Sequence, residues 1–521
     1  MLERSARESR KVNLRSVRED HRRVVSVAPP GGVRTNSAKG NCLNLSAQET
    51  RVLECMALAW AIITADPALV FSQNSPVSSS PSGEIRRAAP LQKASAWYDS
   101  LKGIPLGPGT LDIGANVRTR YEFTDNFNVR AYGTEDDDNL LLLRTRLSLD
   151  YHFGKPAHAY VEMQDARYWL SDLTRSKFTG SNPFYDEWDL RQAFLEWEHI
   201  ARSPLGFKAG RQTITYGDRR VFGPGEWGNV GRYWWDAVKL YLDTDLVKAD
   251  ILYGRQIVSE PSHFNDKHFP YHMAGVYARF REFTNSHFSV QPDLFYIGRY
   301  DTHGNLKDEK GRSGDEIRHT FGARVEGKVC NAWDYYGTVA GQFGTYGKGD
   351  IEALGIIAGA GYTFKTDWSP RLGAEFCYAS GDGDPTDGVR NTFDNVYGAI
   401  DAYVYGWMNV VPWMNLEDYQ ASFTVHPTNK LKVWVEYNCF RLADPNDAWY
   451  YSTGKVMRKD PTGMAGRDLG HEINLLGQLK VSKTIDFLAG YGCFLPGSFV
   501  RKTPGSDDPA HWVFTQLTFN L

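Results

Sequence analysis

No apolar run in the 521-residue sequence is long enough to form a membrane-spanning helix, which needs about 20 consecutive apolar residues. A helical membrane protein is therefore excluded. The charge balance is also flat: 59 Lys and Arg against 62 Asp and Glu leave a net charge of −3, without the basic excess of a nucleic-acid-binding surface. Cysteine is scarce. Cys42, Cys55, Cys330, Cys377, Cys439 and Cys493 are scattered without metal-type pairing, so neither a metal site nor a cofactor is expected and no disulfide is predicted. No self-similar repeat of about 20–50 residues recurs, which argues against a solenoid. What the chain has in quantity is aromatic residues, at 13%, and 49 glycines, a composition suited to strands whose two faces differ.

Residues 1–50 are polar and basic without periodicity and are expected to be a disordered or non-native extension. Residues 51–72 have the form of a signal peptide, with the apolar stretch MALAWAII followed by Ala65 and Ala68. A Ser/Pro-rich linker and periplasmic segment is expected over 73–110. From 111 to 521 the pattern changes. Leu111, Ile113, Ala115 and Val117 alternate with Asp112, Asn116 and Arg118, so the strand has one oily and one wet face. Similar alternation recurs in segments as long as the tilted strands of about 9–11 residues that cross a bilayer. The count comes to about 18, an even number as bacterial outer-membrane barrels require.

The connections follow a second rule. Short turns such as 244–245, 330–331 and 482–483 alternate with long polar excursions at 124–139, 171–187, 215–233, 301–316, 381–414 and 442–470. Short periplasmic turns and long extracellular loops are the habit of a transmembrane antiparallel β-barrel, an all-β fold that leaves no open edge in lipid. Both chain ends of the barrel then face the periplasm.

In such a fold the function resides in the lumen and loops. Parity points Arg118 and Arg120 on the first strand, and Arg144 and Arg146 on the second, into the lumen, where the four guanidiniums face one another. Glu122, Asp150, Glu162, Glu196 and Asp250 share that inner face, so a salt-bridge lining and an anion track both remain open. The segment 210–243 adds a loop unusually rich in arginine and tryptophan around a Gly-Pro-Gly turn, with Arg211, Asp218, Arg219 and Arg232. Strict alternation from Phe207 and Ala209 points Arg211 toward lipid; it reaches the lumen only through a bulge at Gly210, or else sits above the membrane. Ser148, His152 and His158 lie on the inward parity but lack a third orienting group, and no enzyme is expected. Acidic groups at Asp136–Asp138 and at Asp382, Asp384 and Asp387 suit calcium chemically but are expected to be solvated loop surface.

The GRQ, YGD and GPGEWGNVGR motifs of 210–232, followed by WDAVKL, resemble the alginate export family of outer-membrane proteins. Two further blocks agree in order: ASGDGDPTDG, NTFDNVY and YVYGWMNVVPWMNL between 379 and 416, then 448–450, 470–474 and GYGCFLPGSF from 490. Asp401 departs from the histidine that the family places there. The resemblance implies a monomeric conduit in the outer membrane of a Gram-negative-type bacterium. It would pass an anionic, alginate-like polysaccharide or oligosaccharide outward, with periplasmic polymer-export components as partners and lipid around it. Carried onto this sequence, it makes Arg118, Arg120, Arg144, Arg146, Arg211, Asp218, Arg219 and Arg232 the expected pore and anion-binding residues. The alternative is a porin taking up small anionic solutes or oligosaccharides.

Overall fold

The computed structural model describes residues 97–127, 137–154, 156–178, 181–398 and 403–521. The expected extension, signal peptide, most of the linker, Asp136 and Asp401 lie outside the described residues. Eighteen antiparallel strands form a closed barrel. They are β1 Gly109–Asp125, β2 Asp138–His152, β3 Ala157–Trp169, β4 Asp186–Trp197, β5 Leu205–Thr213, β6 Trp234–Asp243, β7 Val247–Gln256, β8 His272–Phe280, β9 Phe288–Lys307, β10 Ser313–Val329, β11 Trp333–Gly347, β12 Gly349–Thr363, β13 Arg371–Ala379, β14 Leu416–Val425, β15 Leu431–Arg441, β16 Asp468–Lys480, β17 Ile485–Pro496 and β18 Ala510–Asn520. β1 pairs with β18 from Asn116↔Asn520 to Asp125↔His511, and this seam satisfies the last backbone edge. No described helix is long and apolar enough to cross a membrane; the strands do so.

Period-two alternation becomes two chemically opposite walls. On β2, Leu147 (49% exposed) and Leu149 face outward, while Arg144 and Arg146 are buried on the inner face. Aromatic rings gather at the strand ends. Tyr151 packs edge-on against Phe153 and Tyr362 against Phe364 on the short-turn side. On the long-loop side, four tyrosines meet a histidine on the next strand: Tyr253–His272, Tyr296–His319, Tyr437–His471 and Tyr491–His511, each hydroxyl 2.6–2.9 Å from Nδ1.

The short turns fall where expected; Cys330 and Asn331, both at positive φ, link β10 to β11. One expected loop is different. Residues 301–316 are mostly strand: β9 runs to Lys307 and β10 starts at Ser313, with a register shift between Asp301 and Leu306. The linker boundary also moves, because strand Ile104–Leu106 pairs with the start of β1.

Two long loops decide the interior. Residues 214–233, between β5 and β6, and 380–415, between β13 and β14, bring Phe222, Tyr397, Trp407 and Trp413 into one apolar core with the inward side chains Trp434, Phe494 and Phe514 of the wall. The loops join through a parallel bridge, Phe222↔Tyr397, and Gly223 N–H donates to Tyr397 O at 3.0 Å. The lumen thus contains a folded plug, stabilised mainly by burial of large apolar surface.

Candidate functional site

The register of β1 against β2 places Arg118 directly opposite Arg144 and Asn116 opposite Arg146. All four expected wall arginines are inward and buried. Like charges in such pairs repel, so something has to compensate them. The loop 214–233 does so. Arg118 donates to the carbonyls of Glu226 (2.8 Å) and Gly228 (3.0 Å), Arg120 to that of Trp227 (2.8 Å), and Arg144 to that of Glu226 (2.9 Å). The Glu226 carboxylate then lies 2.7 Å from Arg146, 2.6 Å from Arg191 and 3.5 Å from Arg144. Arg120 also stacks over the Trp227 ring at 4.2 Å. Burial alone would raise the Glu226 carboxyl, but Arg146, Arg191 and Arg144 outweigh it and hold the group well below the usual carboxylate range.

Turn chemistry explains how a charged loop tip reaches this wall. Gly225 and Gly231 hold φ of +67° and +87°, a region that favours glycine, and so fold the tip back on itself. Gln164 on β3 donates to Val230 O at 2.8 Å, and Asn229 donates to Phe184 O at 2.8 Å, tying the far side. Trp227 packs edge-on against Trp407 and Phe514, as packing rather than as an open sugar platform. A cavity of about 230 Å³ remains beside Arg120, Trp227, Trp407 and Tyr451.

Wall charges are mixed, as parity predicts. Arg120 meets Glu122 at 2.6 Å and Arg191 meets Glu162 at 3.1 Å. Nevertheless, Nε of Arg118, Nε of Arg144 and Nη2 of Arg146 are buried without a hydrogen-bond partner, and these donors suit an anion. The second loop is anchored by the same chemistry. Its Asp394 accepts from Arg299 on β9 at 2.8 and 3.1 Å, and Arg299 also meets Glu316.

The other four expected residues do not join the arginine wall. Asp218 lies on another part of the lumen, 3.8 Å from Arg220 and 3.9 Å from Arg324, beside the Arg220–Glu375 pair. Arg219 donates to the Tyr403 hydroxyl at 3.1 Å, and Arg232 donates to Ser452 O at 3.4 Å. Arg211 keeps the outward parity: it pairs with Asp236, shares the row of Leu205 and Ala209, and lies near Phe264. Gly210 has φ +126° but shifts no register, so no bulge carries Arg211 into the lumen. Glu226 and Arg191 were missed by sequence reasoning. Strict alternation from Glu196 points Arg191 outward, and a register shift between Glu162↔Gln192 and Met163↔Leu190 brings it onto the inner face; Glu226 carries no signal beyond the turn glycines around it.

Residues 110–514 match the family model described as Alginate export. The chain belongs to the alginate export family. No curated protein matches the sequence. Among solved structures it is similar to Pseudomonas aeruginosa OpdK crystallised with vanillate, with a TM-score of 0.51 and 10% identity over 79% of this chain and 98% of that one. An improved crystal structure of the same protein, OccK1, gives a TM-score of 0.50 at the same identity and coverage. At that identity the likeness is one of fold. This alginate export family member is an outer-membrane β-barrel channel of the Gram-negative type.

Proposed function

We propose that this channel passes an anionic, alginate-like polysaccharide across the outer membrane, with Arg118, Arg120, Arg144, Arg146 and Arg191 as its anion track. The supporting observation is the place of Glu226: a displaceable carboxylate rests on Arg144, Arg146 and Arg191, where a uronate carboxylate of the polymer would exchange with it. A conduit for a charged chain needs contacts that form favourably yet release, and swapping one carboxylate for another meets both needs. Asp218, Arg219 and Arg232 would then act at the loop surfaces around the path rather than on the track. Export from periplasm to exterior, a monomeric barrel and delivery by periplasmic polymer-export components belong to the same reading.

Uptake of small anionic solutes is the second reading. It is favoured by the cavity beside Arg120 and Trp227, whose volume of about 230 Å³ suits one sugar-sized ligand better than a polymer. Swelling of liposomes carrying the refolded protein separates these possibilities, using an oligouronate and a neutral oligosaccharide of equal length together with their monosaccharides. Faster entry of the oligouronate, abolished by the combined Arg118→Gln, Arg120→Gln, Arg144→Gln and Arg146→Gln variant, supports the conduit. Equal entry of both sugars in both proteins refutes it, and entry restricted to monosaccharides favours the second reading.

A further inference from the structure

A different cluster lies on the lumen face at the short-turn end of the barrel, where β2 ends and β3 begins. His152 stands directly opposite His158 across the β2–β3 pair, with rings nearly parallel at 5.3 Å. Asp150 precedes His152 by two residues and so shares its face. Its two oxygens divide between the imidazoles: Oδ1 is 2.7 Å from Nδ1 of His158, and Oδ2 is 3.6 Å from Nε2 of His152. Ligand atoms of all three side chains lie within 4.8 Å of one another. A tetrahedral ion held at about 2.0–2.2 Å from nitrogen and oxygen ligands requires ligand separations of about 3.3 Å, so small side-chain rotations suffice.

The surroundings are arranged as a metal's outer shell would be. With Nδ1 of His158 turned to Asp150, its Nε2 lies 3.4 Å from Glu196, the carboxylate that would fix the metal-binding tautomer. Phe194 meets the His158 ring edge-on at 5.9 Å and restrains it. On the other side, Asp112 has one oxygen bound by the Gly103 N–H at 2.6 Å and the other 3.9 Å from His152 Nε2, within reach as a fourth ligand. Lys208 lies 3.4 Å from Glu196, with Lys239 opposite it on the next strand, and against Asp112, Asp150 and Glu196 these leave the surroundings net acidic.

We propose that Asp150, His152 and His158 form a binding site for a divalent transition-metal ion of the zinc class at the periplasmic mouth, with Glu196 as the positioning carboxylate. Two imidazoles and one carboxylate match borderline cations rather than calcium or magnesium, which prefer all-oxygen shells. His152, the most exposed of the three at 38%, lies on the open side of the cluster. The charged and polar groups that face the cluster from neighbouring strands are Asp112 on β1, Tyr160 on β3, Glu196 on β4, Lys208 on β5 and Lys239 on β6.

The test is calorimetric titration of the refolded full chain with Zn²⁺ at neutral pH, without a histidine tag and with accessible thiols alkylated, because Cys330 is exposed. Co²⁺ visible absorption serves as a second readout of the ligand field. One ion per chain is expected, with binding weakened at least tenfold in both His152→Gln and His158→Gln, and the intense Co²⁺ bands lost in each. Glu196→Gln is expected to weaken binding by about 10–100-fold without changing the stoichiometry. Heat-modifiable gel migration confirms that each variant is folded. Absence of binding in the unaltered protein, or unchanged binding and spectra in the folded double variant His152→Gln/His158→Gln, overturns the assignment.

Discussion

Replacing Glu226 by Gln removes one negative charge while keeping the shape of the loop tip, and the expected effect is release of the plug from the arginine wall. In the closed arrangement Glu226 engages Arg146, Arg191 and Arg144. Breaking one side of a fully buried ion pair costs about 3–5 kcal/mol. The Glu226 side chain is 29% exposed, and the carbonyls of Glu226, Trp227 and Gly228 keep their arginine donors. A discounted value of about 2 kcal/mol therefore follows, equivalent to roughly a 30-fold rise in the open-to-closed ratio. The assay is single-channel recording in planar bilayers, scored as open probability. The unaltered protein has a matching pH signature. Because the folded-state pKa of Glu226 is depressed, its stabilisation is fully present above the ordinary value of 4.5 and is lost only as pH falls well below it. Open probability of the unaltered channel should thus rise only under strong acid, whereas the glutamine variant shows its rise already at neutral pH. Equal open probability for both proteins at neutral pH, with both folded, would refute the role of Glu226 as the plug's electrostatic anchor.

The second loop should respond to its own anchor. Asp394→Asn breaks the two-pronged contact with Arg299, and limited proteolysis should cut within 380–415 several-fold faster, whereas unchanged cutting would show that apolar packing alone holds it. Burial, together with the neighbouring Glu309 and Asp447 carboxyls, pushes Asp382 up to about 8. A raised carboxyl favours the folded loop in its protonated form, so loop stability should decline as pH rises from about 4 to 8. Hydrogen exchange around 381–388, corrected for intrinsic rates, should show this decline, and Asp382→Asn should flatten it. The wall orientation is tested by a pair of substitutions on one strand. Leu147→Arg on the lipid face should cost about 2–4 kcal/mol of folding stability if it lies near the bilayer midplane, and Ser148→Arg on the lumen face much less. Urea unfolding in lipid vesicles measures both, and equal costs would contradict the assigned faces.

The barrel was legible because alternation is a local, period-two signal and each strand carries it independently. Leu147 and Leu149 against Arg144 and Arg146 already define the two faces of β2. The inward parity of the four wall arginines was legible too, but their register was not: only Arg118 and Arg144 stand directly opposite, while Arg120 faces Leu142 and Arg146 faces Asn116. What alternation does not encode is where a loop goes. Phe222 and Tyr397 meet only after both loops enter the lumen, and their contact depends on residues 175 positions apart. Glu226 was hidden for that reason: a carboxylate between turn glycines reads as solvated surface until the wall opposite it is known. Residues 301–316 misled through their polarity, because a hairpin standing clear of the membrane needs no apolar face. His152, His158 and Asp150 were visible as inward residues, but their convergence arises from cross-strand register rather than from any spacing within one segment.

Anion handling by the arginine wall is the proposed role of this lumen. Its most direct test is the current through the Glu226→Gln channel in planar bilayers, titrated with an oligouronate and with a neutral oligosaccharide of equal length. Concentration-dependent block by the oligouronate alone is expected, lost when Arg118, Arg120, Arg144 and Arg146 are changed to glutamine in the same background. Current indifferent to the oligouronate, or block that survives loss of the four arginines, would contradict it.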